Sequence, residues 1–196
     1  MKNSELNVGS YSAWLGELVG SPKGENDSVV PCGECAACCT SSYFVHIRPT
    51  DSETLKHVPR KLLFPAPGLP KGHYVLGYDE KGHCPMFSVN GCTIYQCRPE
   101  TCRQYDCRIF AATDVKITDA GKASVSRQSA RWVFNMESGQ DLADSTAVRA
   151  AASFIERYSG LLPRGLIPCN SVQRATMAIR AYSLFWSCGY INIEKD

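Results

Sequence analysis

Cysteine is the residue type that sets this chain apart: there are 11, and nine fall between Cys32 and Cys107. The densest run, CGECAACC over 32–39, holds Cys32, Cys35, Cys38 and Cys39. Further along, HCPMF supplies Cys84, and GCTIYQCRPETCRQYDCR carries Cys92, Cys97, Cys102 and Cys107 at every fifth position. The last three are each followed by an arginine: Arg98, Arg103 and Arg108. In a reducing compartment such crowding points to metal-ligating thiolates. A secreted disulfide scaffold would be expected to bring a signal peptide and an even cysteine count.

The spacing narrows the metal. Cysteines separated by two residues let the backbone fold round one centre so that sulfurs and amide N–H groups converge. Three thiolates so spaced match the first part of the bacterial ferredoxin run, in which a further ligand is followed by proline. Here Cys84 precedes Pro85. Structural zinc favours two close-spaced cysteine pairs, and only the first half of the series fits that pattern. Five residues turn an α-helix by about 140°, so Cys92, Cys97, Cys102 and Cys107 cannot share one helical face. Adjacent side chains diverge, so of Cys38 and Cys39 one is expected to bind while the other packs or serves a second site.

The arginines suit a charge argument. A centre with four thiolates is anionic, and burying it requires compensation. Arginine is always protonated and carries five donors. Arg98 and Arg103 are therefore candidates for neutralising the centre from outside its ligand shell, with a solvated basic face as the alternative. His83, beside Cys84, is a lesser ligand candidate, and His46, His57 and His73 are weaker still. Cys169 and Cys188 read as buried, inert thiols. Asp51 and Glu53 read as helix-start residues.

CGECAACC, then HCPMF, then GCTIYQCRPETCR resembles the CxxCxxCC cysteine-cluster family, described as zinc- or iron-chelating and including YkgJ-type bacterial proteins and a region of flagellin lysine methylases. The matching positions are Cys32, Cys35, Cys38, Cys39, Cys84, Cys92, Ile94, Tyr95, Arg98, Pro99, Cys102 and Arg103. The resemblance covers about residues 31–110 and implies metal chelation. Cys97 and Cys107 depart from the pattern.

The elements that must position these residues are modest. An amphipathic helix is expected over about 5–20, with Tyr11, Trp14, Leu15, Leu18 and Val19 on its apolar stripe, followed by a polar linker through residue 30. Thr50 and Glu53 form a capping-box pattern for a short helix ending near His57. Residues 59–72 are rich in Pro and Gly and read as irregular. HYVLGYD suggests a strand, and SVNGCTIY an Asn-Gly turn before another. Two helices are expected over 144–159 and from Asn170 or Ser171 to Gly189. The expectation is an α+β fold: a small irregular, metal-stapled cysteine-rich region (31–112) packed with amphipathic helices, after an N-terminal helix and linker (1–30) and before a mainly helical part (113–196), in one compact domain.

Charged residues make up 20% of the chain and the formal net charge is +2, which gives no prior for nucleic acid. No apolar run approaches membrane-span length, and the N-terminus lacks the apolar stretch of a signal peptide. A cytoplasmic protein is expected. Nucleophile-elbow, phosphate-loop, dinucleotide and HExxH motifs are absent, as is the βαβ setting of a thioredoxin CxxC. The sequence therefore predicts a protein that holds an iron–sulfur or iron centre through Cys32, Cys35, Cys38, Cys39, Cys84, Cys92 and Cys102. The alternatives are a zinc module that binds a protein partner, and a protein-modifying enzyme related to the flagellin methylases.

Overall fold

The computed structural model describes residues 4–20, 30–32 and 34–187. Most of the expected linker, together with Cys188 and Gly189, lies outside the described residues. In chain order the first elements are β1 (Leu6–Ser10), α1 (Tyr11–Gly20), β2 (Val45–Ile47), α2 (Ser52–His57), β3 (Leu63–Pro65) and β4 (Tyr74–Leu76). Then come β5 (Phe87–Ser88), β6 (Gly91–Cys92), α3 (Glu100–Arg103), α4 (Arg108–Thr113) and α5 (Ala123–Ser129). β7 (Trp132–Asn135), α6 (Gly139–Tyr158) and α7 (Ser171–Ser187) complete the series. The fold is mixed α+β, as the sequence predicts. Among the described residues, no helix is long and apolar enough to cross a membrane.

Packing divides the chain into two units. One comprises residues up to Ser21, Cys107–Asp119 and the chain from Ser126 onward; the other comprises Pro22–Asp106 and Ala120–Val125.

In the first unit β1 and β7 pair in parallel, Leu6 opposite Trp132 and Ser10 opposite Asn135. The expected helix over 5–20 is thus shorter: its first residues form a strand. The physical reason is the start signal at Ser10, whose Oγ accepts the Ala13 N–H at 3.2 Å, while the Asp141 carboxylate accepts the Ser12 N–H at 2.9 Å. Those bonds satisfy N–H groups that a helix start leaves open. Tyr11 and Trp14 then pack against Phe134 with ring centroids 5.0 and 4.9 Å away, and the Tyr11 hydroxyl donates to the Ala112 carbonyl at 3.1 Å. Burial pushes that phenol's pKa well up. Helix α6 begins five residues earlier than predicted because Ser138 and Asp141 build a reciprocal capping box there. Ala151, Ala152 and Ile155 of α6 pack on Ala178 of α7, with Val115, Met177 and Phe185 around them. Small side chains on both surfaces let the two helices approach closely.

The second unit is turn-dense. Its three-stranded antiparallel sheet has the order β2-β4-β3, with Val45, Leu76 and Leu63 in one register line and His46, Val75 and Phe64 in the next. Strand β3 and the 3-10 turn before it, Arg60–Leu62, form where the Pro/Gly content of 59–72 predicted irregular chain. Pro65 is tolerated because β3 is an edge strand, where a missing N–H costs little. Ile47, Val58, Leu76 and Ile94 make a small core, and Cys84, Cys92 and Cys97 pack against it. The Asn90–Gly91 pair closes the β5–β6 hairpin, with Gly91 at φ +97°. Asp51, not Thr50, is the residue preceding α2, and Glu53 pairs with Lys56 at 2.6 Å instead of reaching back to close a capping box.

Asp141 joins the start of α1 to the start of α6. Its carboxylate accepts from the Ser12 N–H, from the Ser10 hydroxyl at 2.7 Å and from the Ser138 hydroxyl at 2.6 Å, and these bonds, led by that from Ser12, hold its pKa far below the usual carboxylate range. The folded chain therefore binds this proton less readily than the unfolded one. The stabilisation is complete above about pH 5 and is lost as pH falls through and below the ordinary carboxylate range. Asp141→Asn is expected to lower Tm at pH 7 and to flatten its fall between pH 5 and 3, as read by circular dichroism melts.

Candidate metal centre

After Cys32 the chain makes a turn, with the Cys35 N–H on the Cys32 carbonyl at 2.8 Å. The Ala37 N–H points at the Cys35 sulfur, 3.5 Å away. Cys38–Thr40 then form a 3-10 turn, fixed by the Ser41 hydroxyl on the Ala37 carbonyl at 2.6 Å. The chain leaves through Ser42 in the left-handed region at φ +48°. Both Gly82 and Gly121 come so close to the Ser42 side chain that neither has room for a Cβ, and both have positive φ. This interlock brings the 79–84 turn against the end of the cysteine run. There the Cys84 N–H donates to the Cys39 carbonyl at 2.7 Å. Asp79 shapes the same turn by accepting the Lys81 and His83 N–H groups at 2.9 and 2.8 Å.

Cys92 lies on β6, opposite Phe87. Cys102 lies on α3, whose start is held by the Asp51 carboxylate: Oδ1 accepts the Glu100 N–H at 2.9 Å, and Oδ2 accepts the Arg48 N–H at 2.8 Å. The electrostatics tie these thiols into one group. The Cys39 thiol hydrogen-bonds Cys38, drawing the Cys38 pKa down to about 7, with a smaller lowering from the Arg98 charge. The same bond pushes the Cys39 thiol far up, helped by burial and by Cys38, Cys84 and Cys92. Burial raises Cys84, with Cys92 and Cys38 adding to it. Cys102 is pushed up to about 12 by burial and then by Cys38, Cys84 and Cys92, with Arg98 opposing. The charges of Cys38, Cys84 and Cys92 thus bear on both Cys39 and Cys102, and the Arg98 charge bears on Cys38 and Cys102. Cys32 and Cys35 precede this group along the chain.

The arginines separate. Arg98 sits 4.1 Å over the Tyr95 ring and donates to the Tyr95 carbonyl at 2.8 Å, so its charge is braced beside the sulfurs. Arg103 donates to the Arg98 carbonyl at 2.7 Å and lies 4.0 Å from Asp51, which makes it a brace for Arg98's backbone. Arg108 is buried in α4. Cys97 lines an open cleft of about 390 Å³ with Asp51, Glu53, His57 and Arg103. His83 packs edge-on against Phe87.

Cys107 belongs to the other unit. It is buried, and the Trp132 indole N–H donates to its sulfur at 3.2 Å. The five-residue cysteine register thus does not describe one centre. Cys169 is exposed, contrary to the expected buried thiol, because it sits before α7, with its sulfur 3.6 Å from the Ile167 carbonyl. Sequence reasoning missed the Ser42–Gly82–Gly121 interlock and the Tyr95 seat for Arg98. The glycines were the visible signal, since close approach and positive φ both select glycine.

Among the described residues no three His, Cys, Asp or Glu groups stand where they could hold an ion as placed. The fit to a metal lies in the donor set: clustered thiols with the Arg98 charge beside them suit a thiophilic metal such as zinc or iron. These features describe a small cysteine-rich region with helical accompaniment. Residues 31–126 match the sequence model of the CxxCxxCC family, "Putative zinc- or iron-chelating domain". No curated protein and no solved structure matches the chain.

Cys107 gives a sharp control for the site. Cys107→Ala would leave the buried Trp132 N–H without its acceptor and should cost about 1–3 kcal/mol of stability in urea titrations. Metal content, measured by mass spectrometry, is expected to stay at the wild-type value.

Proposed function

We propose that this protein holds an iron–sulfur or iron centre through thiolates of the 32–102 region. The ligands come from Cys38, Cys39, Cys84, Cys92 and Cys102, together with Cys32 and Cys35 from the start of the run. The observation that carries the reading is the match of residues 31–126 to a zinc- or iron-chelating sequence model, within which the Cys84 N–H on the Cys39 carbonyl at 2.7 Å brings the Cys-Pro turn against the CxxCxxCC run. Without a cation, each thiolate formed raises the cost of forming the next. A bound metal reverses that balance and lets several sulfurs ionise together.

Iron is favoured over zinc by the sequence pattern: a CxxCxxC run with a distant Cys-Pro, and no second close cysteine pair. An iron–sulfur centre would supply one-electron transfer. The chain's own contribution is to gather the sulfurs, to direct amides such as that of Ala37 at them, and to set Arg98 where it offsets their charge.

Variants test the assignment. In protein purified without oxygen, Cys84→Ser and Cys102→Ser are expected to lose most of the metal, whereas Cys169→Ser keeps it. Arg98→Ala is expected to weaken retention against a chelator by about 10–100-fold, Arg103→Ala to weaken it through the displaced Arg98, and Arg127→Ala to leave it unchanged. Wild-type metal content in both Cys84→Ser and Cys102→Ser would exclude this ligand set.

A further inference from the structure

The face of the β2-β4-β3 sheet opposite the small core carries two histidines that the metal reading does not use. His46 Nε2 and His73 Nδ1 are 2.9 Å apart. The ring centroids are 5.1 Å apart and the rings are inclined by only 15°. That centroid separation is what two imidazoles joined end to end along the N···N line give, so the contact is an in-plane hydrogen bond and not a face-to-face stack. Its geometry also differs from a chelating pair, whose two lone pairs would have to converge on a point off that line.

We propose that His46 and His73 form one proton-sharing latch, which ties β2 to the turn leading into β4 and opens when both rings become cationic. A neutral imidazole has one N–H and one lone pair, so one of the two facing nitrogens bears the hydrogen and the other accepts. A first added proton goes to the outward nitrogen of the donor ring and leaves the bond in place, now charge-assisted. A second puts N–H groups on both facing nitrogens and a charge on each ring. The contact then has no acceptor and must separate.

The surroundings act in the same sense. Burial, the His73 charge and then Arg48 move the His46 pKa down from its ordinary 6.5, with Asp51 and Glu100 opposing. Arg48 comes from the end of β2, Asp51 from the start of α2 and Glu100 from α3. Both acids are already engaged, Glu100 with Arg48 at 2.6 Å and Asp51 with backbone N–H groups. The residues in register across the sheet, Val75 of β4 and Phe64 of β3, are uncharged. Because the 2.9 Å contact has no acceptor once both rings are cationic, the latched geometry resists the second proton, and His46 is held below its ordinary value as well. Its contribution is complete at neutral pH and is lost as pH falls below about 6.5.

The latch has something to act on. The His46 carbonyl accepts the Thr101 hydroxyl at 2.8 Å, one residue before Cys102. On the other face of the same strands, Ile47 and Leu76 pack with Cys84 and Cys92. Release of β2 would loosen the support of the cysteine region in acid, whichever metal it holds.

Histidine C–H resonances of the full chain, followed by NMR from pH 8 to 4.5, test this. The chain has four histidines, and His57→Gln and His83→Gln assign the remaining two by elimination without touching the pair. The expected result is that His46 and His73 report the same two midpoints, separated by about one pH unit or more. His73→Gln should return His46 to a single step and flatten the loss of Tm between pH 7 and 5. Two independent single steps near 6.5 in the wild-type pair would overturn the proposal, even if His73→Gln failed to fold.

Discussion

Sulfurs gathered into one neighbourhood cannot all ionise unless a cation joins them. Repulsion between thiolates and the cost of burying charge both oppose it, and here both act on Cys39, Cys84 and Cys102. Cys38 alone is drawn toward ionisation, by a neighbouring thiol and by Arg98. A chain that brings these groups together against such a gradient needs either a metal or a scaffold strong enough to hold neutral thiols in place. The described core of the cysteine unit gathers Ile47, Val58, Leu76 and Ile94, with Cys84, Cys92, Cys97 and partly buried apolar side chains such as Leu55 and Met86 against them. Metal–thiolate bonds of the kind proposed would add cohesion to such a core.

The scaffold works through a few fixed points. Ser42, Gly82 and Gly121 set the distance between the end of the CxxCxxCC run and the turn that carries Cys84. Asp51 holds the first N–H of α3, which places Cys102, and lies beside Arg103, which in turn braces Arg98. Lys122 donates to the Ser41 and Ser42 carbonyls at 2.6 and 2.5 Å and lies over the Tyr43 ring, closing the same corner from a segment 80 residues further along the chain. These contacts position the cysteines without being ligands. Several of these fixed points, such as Ser42 and Gly82, lie outside helix and strand.

Much of the chemistry was legible because thiols at short spacing have few alternative uses. The CxxCxxCC run, the Cys-Pro pair, the Asn90–Gly91 hairpin and the two long helices all follow from local chemistry or from helical period. What was not legible depends on distant partners. β1 and β7 pair across positions such as Leu6 and Trp132, and the Asn7 side chain donates to that of Asn135, 128 residues further on; a five-residue segment with a glycine gives no period that reveals this. Cys107 extended the cysteine register in sequence, yet its partner is the Trp132 indole. The His46–His73 bond was equally hidden, since neither histidine has a ligand-like neighbour in sequence. The arginines fall between: the Arg98 charge reaches Cys38 and Cys102, whereas Arg103 is identified by its contact with the Arg98 carbonyl, which no spacing predicts.

The most direct measurement is iron, zinc and acid-labile sulfide content, taken with a visible absorption spectrum on the full chain purified without oxygen. The account predicts iron and sulfide together, with a broad sulfur-to-iron charge-transfer band. Stoichiometric zinc in a colourless protein would keep the thiolate centre and overturn its assignment to iron. A colourless protein with neither metal, whose cysteines react freely with a thiol reagent, would contradict the account at its base.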